Sequence, residues 1–128
     1  MASGFFTDIT ATVLSKTLDA AAARQKSIAN NISNVETPGY KRCYVSFEAE
    51  LKRVLDRKDG HGVREGLQNL TPTTEIDAMS PSRSDGNNVN IDVEISDLAK
   101  TSLKYRAAAI LLESKSGMLR AAITEGKK

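Results

Sequence analysis

Apolar residues recur at alternating spacings of four and three near both ends of this chain, and a sustained period of that kind is the signature of long paired helices. The first series runs Leu14, Leu18, Ala21, Gln25, Ile28, Ile32, Val35. The second places Ile91, Leu98, Tyr105, Leu112 and Leu119 at one heptad position and Ile95, Ser102, Ala109, Ser116 and Ile123 at the other. The first predicts a helix over residues 7–34, about 42 Å long at 1.5 Å per residue. It must stop before Pro38, whose ring pushes Thr37 out of the helical region. Ala20 to Ala23 give it a thin waist that a second helix can approach closely. Asn90 is a suitable N-cap for the second helix, and Gly126 with Lys127 and Lys128 is suitable chemistry for its end.

The middle has no such period. Tyr44, Phe47, Leu51 and Val54 or Leu55 fall at helical spacing and predict a short amphipathic helix over 46–57. Beyond it, Asp59-Gly60-His61-Gly62, Gly66, Pro72, Pro81 and Asp85-Gly86-Asn87-Asn88 form roughly thirty residues of turn formers, longer than an ordinary loop. The expected fold is all-α. Long N- and C-terminal helices pack as a coiled-coil-like pair, joined by an extended or partly flexible middle segment. The expected segments are 1–36, 37–88 and 89–128, making one structural unit. Ala, Ser and Gln in the seams leave little apolar area per turn, so these helices are expected to gain their stability from neighbours.

Composition excludes several functions. Among 128 residues there is one Cys, too few for a disulfide framework or a cysteine-ligated zinc. A net charge of +2 gives no basis for a nucleic-acid partner. No apolar run approaches the ~18 residues needed to span a bilayer. The opening Met1-Ala2-Ser3-Gly4-Phe5-Phe6 lacks a basic n-region and an apolar h-region, so no cleaved secretory signal is expected. Charge is unevenly placed. Asp92, Glu94 and Asp97 precede Lys100, Lys104, Arg106, Lys115 and Arg120. That order suits a helix macrodipole and reads as a solvated face.

Candidate chemistry is thin. Cys43 has basic neighbours, Lys41 and Arg42, but a nucleophile needs a base, and His61 sits in a glycine-flanked stretch read as loop. Cys43 is therefore read as an unreactive thiol. Asp85, Asn87, Asn90, Asp92 and Glu94 are oxygen-rich but fail the calcium-loop template; a turn and a helix cap explain them better. Asn31-Ile32-Ser33 and Asn69-Leu70-Thr71 match a glycosylation pattern that arises often by chance. No catalytic residue, metal site, cofactor or small-molecule substrate is expected.

One run is specific: Asn30-Asn31-x-x-Asn34-x-x-Thr37-Pro38-Gly39-Tyr40-Lys41. Three asparagines cluster at a helix end, where their amides can meet freed backbone groups. Pro38-Gly39 then predicts a type II turn with Gly supplying positive φ. With Asn87-Asn88-Val89-Asn90-Ile91-Asp92-x-Glu94-Ile95 and the heptads that follow, this run resembles the bacterial flagellar basal-body rod family. The resemblance is closest to a short, proximal-rod member.

The resemblance implies a structural subunit, not an enzyme. Such a subunit assembles helically into the drive shaft that transmits torque. Its implied location is the periplasmic rod of the basal body, reached through the flagellar type III apparatus without a cleaved signal. The implied partners are copies of itself, other rod proteins, and membrane-ring and export-apparatus proteins at the proximal end. Asn30, Asn31, Asn34, Thr37, Pro38, Gly39, Tyr40 and Lys41 would fix a corner after the first helix. Leu14, Leu18, Ile28, Ile32, Leu98, Tyr105, Leu112 and Leu119 would form the packing seam. The alternative is a soluble helical adaptor or chaperone of a secretion system.

Overall fold

The computed structural model describes residues 2–126, and side chains from residue 9 onward. In chain order the elements are α1 (Ala2–Ser33), β1 (Cys43–Ser46), α2 (Glu48–Leu55), α3 (Gly60–Asn69), β2 (Thr73–Ile76) and α4 (Ile91–Glu125). The two long helices pack against each other in opposite directions. Asn31 near the end of α1 meets Glu94 near the start of α4. Earlier on α1, Thr17 and Ala20 share a groove with Thr101 and Lys104, further along α4.

Local chemistry sets the ends of the helices. Asn90 Oδ1 accepts from the backbone N–H of Asp92 at 3.0 Å and of Val93 at 3.4 Å, which starts α4. Gly126 is the C-cap, in right-handed conformation. Lys127 and Lys128 lie outside the described residues. No helix of the described residues is long and apolar enough to cross a membrane.

The expected all-α class is corrected by a two-stranded antiparallel sheet. Cys43 pairs with Ile76 and Ser46 with Thr73. The strands use β-branched residues (Val45, Thr73, Thr74, Ile76), and the Tyr44 hydroxyl donates across the ladder to Glu75 Oε2 at 2.8 Å.

The middle segment is also more regular than expected. Helix α2 falls within the predicted 46–57, but α3 occupies residues read as loop. Asp59 caps it, accepting from the Gly62 N–H. Gly66 serves close packing: a Cβ there would come 2.7 Å from Val54 Cγ1. His61 therefore lies on a helix, exposed, one turn from Glu65. Together α2, α3 and the middle of α1 enclose the main core, formed by Ala20, Phe47, Val54, Val63, Leu67 and Leu70, with Ile9, Val13 and Leu51 against it.

The seam between α1 and α4 is rotated from the predicted one. On α4 the buried positions are Glu94, Thr101 and Ala108, seven residues apart. Leu98 and Leu112 are half-buried, while Tyr105, Leu119, Ile95 and Ile123 are exposed. On α1, Ile28 is buried as expected, with Ala20, Ala21, Ser27 and Asn31, while Leu14, Leu18 and Ile32 are half-buried. Period alone could not choose the face. Helix α4 also exposes Leu103, Ile110, Leu111 and Met118, so apolar residues surround it. Nor is its acidic first turn wholly a solvated face, since Glu94 is fully buried.

Candidate functional site

The turn motif and the start of α4 meet in one corner, built almost wholly from polar side chains. Its centre is Asn31, 0% exposed, with all four hydrogen-bonding positions filled. Its Nδ2 donates to the Cys43 carbonyl at 2.7 Å and to Glu94 Oε2 at 3.1 Å. Its Oδ1 accepts from the Cys43 N–H at 2.8 Å and the Tyr40 hydroxyl at 3.1 Å. One amide thus does for Cys43 what a neighbouring strand would do.

Glu94 is the buried charge of the corner. Its Oε1 accepts from Arg42 Nε at 2.8 Å. Arg42 also donates to Asp77 Oδ2 at 3.2 Å, joining the middle segment to both long helices. Burial works against the Arg42 charge, but the bonds to Glu94 and Asp77 outweigh it and raise the guanidinium above its ordinary pKa. Asp77 is held well below the usual carboxylate range. The cause is first its bonds from the Ser80 hydroxyl and N–H, then from the Met79 N–H and Arg42, against some desolvation. The Tyr40 phenol is pushed up by burial and by nearby Cys43.

The end of α1 is closed from outside its own sequence. Asn87 Nδ2 donates to the carbonyls of Asn34, Val35 and Thr37 at 2.9, 3.1 and 2.9 Å. These carbonyls lie in the turns just past Ser33, beyond the reach of the helical ladder, and those of Asn34 and Thr37 also accept from the Thr37 and Tyr40 N–H groups. Arg83 donates to the Val35 and Val89 carbonyls. Asn88 accepts from the Arg42 N–H at 2.7 Å and donates to the Asp77 carbonyl at 2.7 Å. Asn87, Asn88, Arg83 and Glu94 were not identified as corner residues from sequence. The available signal was the second Asn-Asn pair, which mirrors Asn30-Asn31.

The turn itself has the predicted form. The Tyr40 N–H donates to the Thr37 carbonyl at 3.2 Å, and Gly39 has φ +75°. A second turn packs on it: Gly86 has φ +85°, and a Cβ there would meet Gly39 Cα at 3.3 Å. Gly39 N–H donates to the Asp85 carbonyl at 2.8 Å. Lys41 Nζ binds Ser82 Oγ and the Gly86 carbonyl, both at 2.6 Å. Asn34 Nδ2 donates to the Asn30 carbonyl at 2.8 Å, and its Oδ1 accepts from the Thr37 hydroxyl at 3.1 Å. Pro38 and the Asn30 side chain stay exposed.

The corner therefore gathers Asn31, Asn34, Thr37, Gly39, Tyr40 and Lys41. The predicted seam residues lie along the helices; none enters the hydrogen-bond network of the corner, although Ile28, Ile32 and Leu98 sit within about a turn of Asn31 or Glu94. The oxygen-rich run is dispersed: Asn87 faces the end of α1, Asn90 caps α4 and Glu94 binds Arg42. Chemically the corner joins chain segments, with its donors and acceptors already paired to one another.

A family model described as "Flagella basal body rod protein" matches residues 12–41. That span runs from the first seam through the turn motif. The chain is 37% identical over 102 residues to the flagellar basal body rod protein FlgB of Borrelia hermsii, covering 69% of this chain and 76% of that one. It is 30% identical over 119 residues to FlgB of Bacillus subtilis, covering 89% and 92%. It is 34% identical over 116 residues to FlgB of Escherichia coli, covering 80% and 82%.

Proposed function

Because this chain belongs to the FlgB family of flagellar basal body rod proteins, we propose how it works as a structural subunit of that rod. It acts in motility at the flagellar basal body, assembled with other rod proteins. Its relatives are structural proteins, and the adaptor or chaperone alternative has no support among them. Its position is the proximal end, next to membrane-ring and export-apparatus proteins, in the periplasmic part of the rod. It arrives through the type III apparatus without signal cleavage.

The observation that carries this reading is the apolar exposure of α4. Leu103, Ile110, Leu111, Met118 and Ile123 are each more than half exposed. A helix that exposes apolar side chains on several sides, among charged ones, buries them only against further neighbours. Subunits joined head to tail by a rotation that does not close form a tube, and in a tube wall every face of α4 finds a neighbour. Leu14, Leu18, Ile32, Leu98 and Leu112, half-buried in the subunit, complete their burial there, as do the exposed Tyr105 and Leu119. Ile28 stays within the subunit. The corner residues hold α1, α4 and the middle segment as one stiff unit, so load passes between subunits without hinging inside one.

Ile110→Asp tests the reading. Ile110 is 65% exposed, so the purified subunit should keep its stability to within about 0.5 kcal/mol. In cells the variant should be made and exported yet absent from purified basal bodies, because a carboxylate in a packed wall is buried without a partner. Normal incorporation would refute the claim that this face packs in the rod.

A further inference from the structure

A cleft of about 390 Å³ lies between α1, β1 and α4, next to the corner and sharing Arg42 and Cys43 with it. Ser27 lines it, 5% exposed, and Ser27 Oγ has no hydrogen-bond partner. It is the one buried side-chain polar atom without a partner among the described residues. A buried hydroxyl left unpaired is destabilising, so the position needs a compensating contact. Ile28 and Val45 give the cleft an apolar wall, and Lys100 and Lys104 stand at its mouth. The other charges there are engaged: Arg24 with Glu48, and Arg42 with Glu94, Asp77 and, at 4.0 Å, Asp97. Lys100 has no ion-pair partner among the described residues. Glu48 is held below its ordinary range mainly by its bond from Arg24, and only weakly by Lys104.

We propose that this cleft receives a carboxylate side chain from a neighbouring rod subunit, neutralised by Lys100 and Lys104, with the Ser27 hydroxyl, closed to solvent in the lone subunit, rotating toward the cleft to donate to it. The inference rests on the rod reading above. One hydroxyl donor, two ammonium groups outside any ion pair among the described residues and an apolar wall match the head and methylene stem of a single acidic side chain. The same contact makes good the unpaired hydroxyl and the unspent positive charge.

Carbodiimide cross-linking of purified rods tests the pairing, since it joins only amines and carboxylates already in contact. Lys100 or Lys104 should be linked to an Asp or Glu of another subunit; links only to Glu48 or Asp97 of the same chain would overturn the proposal. Ser27→Ala supplies a second readout. It removes a buried unpaired hydroxyl, so the Tm of the purified subunit should hold or rise. Incorporation into rods should fall about tenfold, the change that roughly 1.4 kcal/mol at an interface produces. Wild-type incorporation of Ser27→Ala would overturn the proposal. Inorganic phosphate that raises the Tm of the wild type but not of Lys100→Gln would make this a free-anion site and overturn it too. If the wild-type chain itself is missing from purified rods, the rod reading fails; if it is present but its lysines are unlinked, only the cleft does.

Discussion

At the corner, Asn31, Asn87, Asn88 and Glu94 are buried polar side chains whose partners come from distant segments. Some tens of ångströms along α4, the surface instead exposes Ile110, Leu111, Met118 and Ile123 to solvent. Buried amides and charges are stringent about geometry, because each donor needs one acceptor at one distance. Apolar surface is permissive and accepts whatever covers it. The subunit therefore fixes its own shape at one end and leaves the other to be completed by neighbours.

Glu94→Ala is the strongest way to break that contrast. It leaves Arg42 without its buried partner and Asn31 with an unmet donor, and should cost about 3–5 kcal/mol. A urea titration of the purified subunit reads this. A loss under 1 kcal/mol would mean that the corner does not hold the two helices together.

Gly39→Val should cost less, about 1–3 kcal/mol, because a β-branched residue is strained at φ +75°. No atom lies within 4 Å of a Cβ built there, so strain alone should account for the loss. Cys43→Ala is the control: the Asn31 bonds go to the backbone of residue 43 and survive the change. Equal stabilities for the two variants would show that the turn tolerates other conformations.

The smallest effect depends on pH. The folded Asp77 carboxyl is depressed below its ordinary value, so it contributes stability above about pH 4. That contribution is lost as pH falls through the lowered folded pKa. The wild type should exceed Asp77→Asn in urea midpoint at neutral pH, with the gap closing under acid conditions. A gap that is constant with pH would mean that the Asp77 charge does not contribute.

The legibility of the sequence follows the same division. Both long helices, the Asn90 cap and the Pro38-Gly39 turn were readable because each depends on neighbours in sequence. The facing of α4 was not: with apolar residues on all sides, the choice fell to Glu94, a residue that period analysis assigns to solvent. Helix α3 was hidden by Gly60, Gly62 and Gly66, which look like turn formers, whereas Gly66 is the space Val54 requires. The strands were missed because Thr73–Ile76 is exposed throughout and carries no alternation of burial. In the corner, Asn31 was legible as part of a motif. Its partner Glu94 lies 63 residues away, and no local pattern reports that distance.

The bond between Asn31 and Cys43 has a further consequence, for solubility. A two-stranded sheet has two open edges, and an open edge can recruit a strand from another molecule and start aggregation. On β1 that edge is occupied: Asn31 takes the Cys43 N–H and carbonyl, and Arg24 donates to the Val45 carbonyl at 3.3 Å. Helix α1 shields the strand with side chains and adds no third strand. The edge that remains belongs to β2, four residues long with Glu75 inside it. A short edge carrying a charge is a poor template for growth.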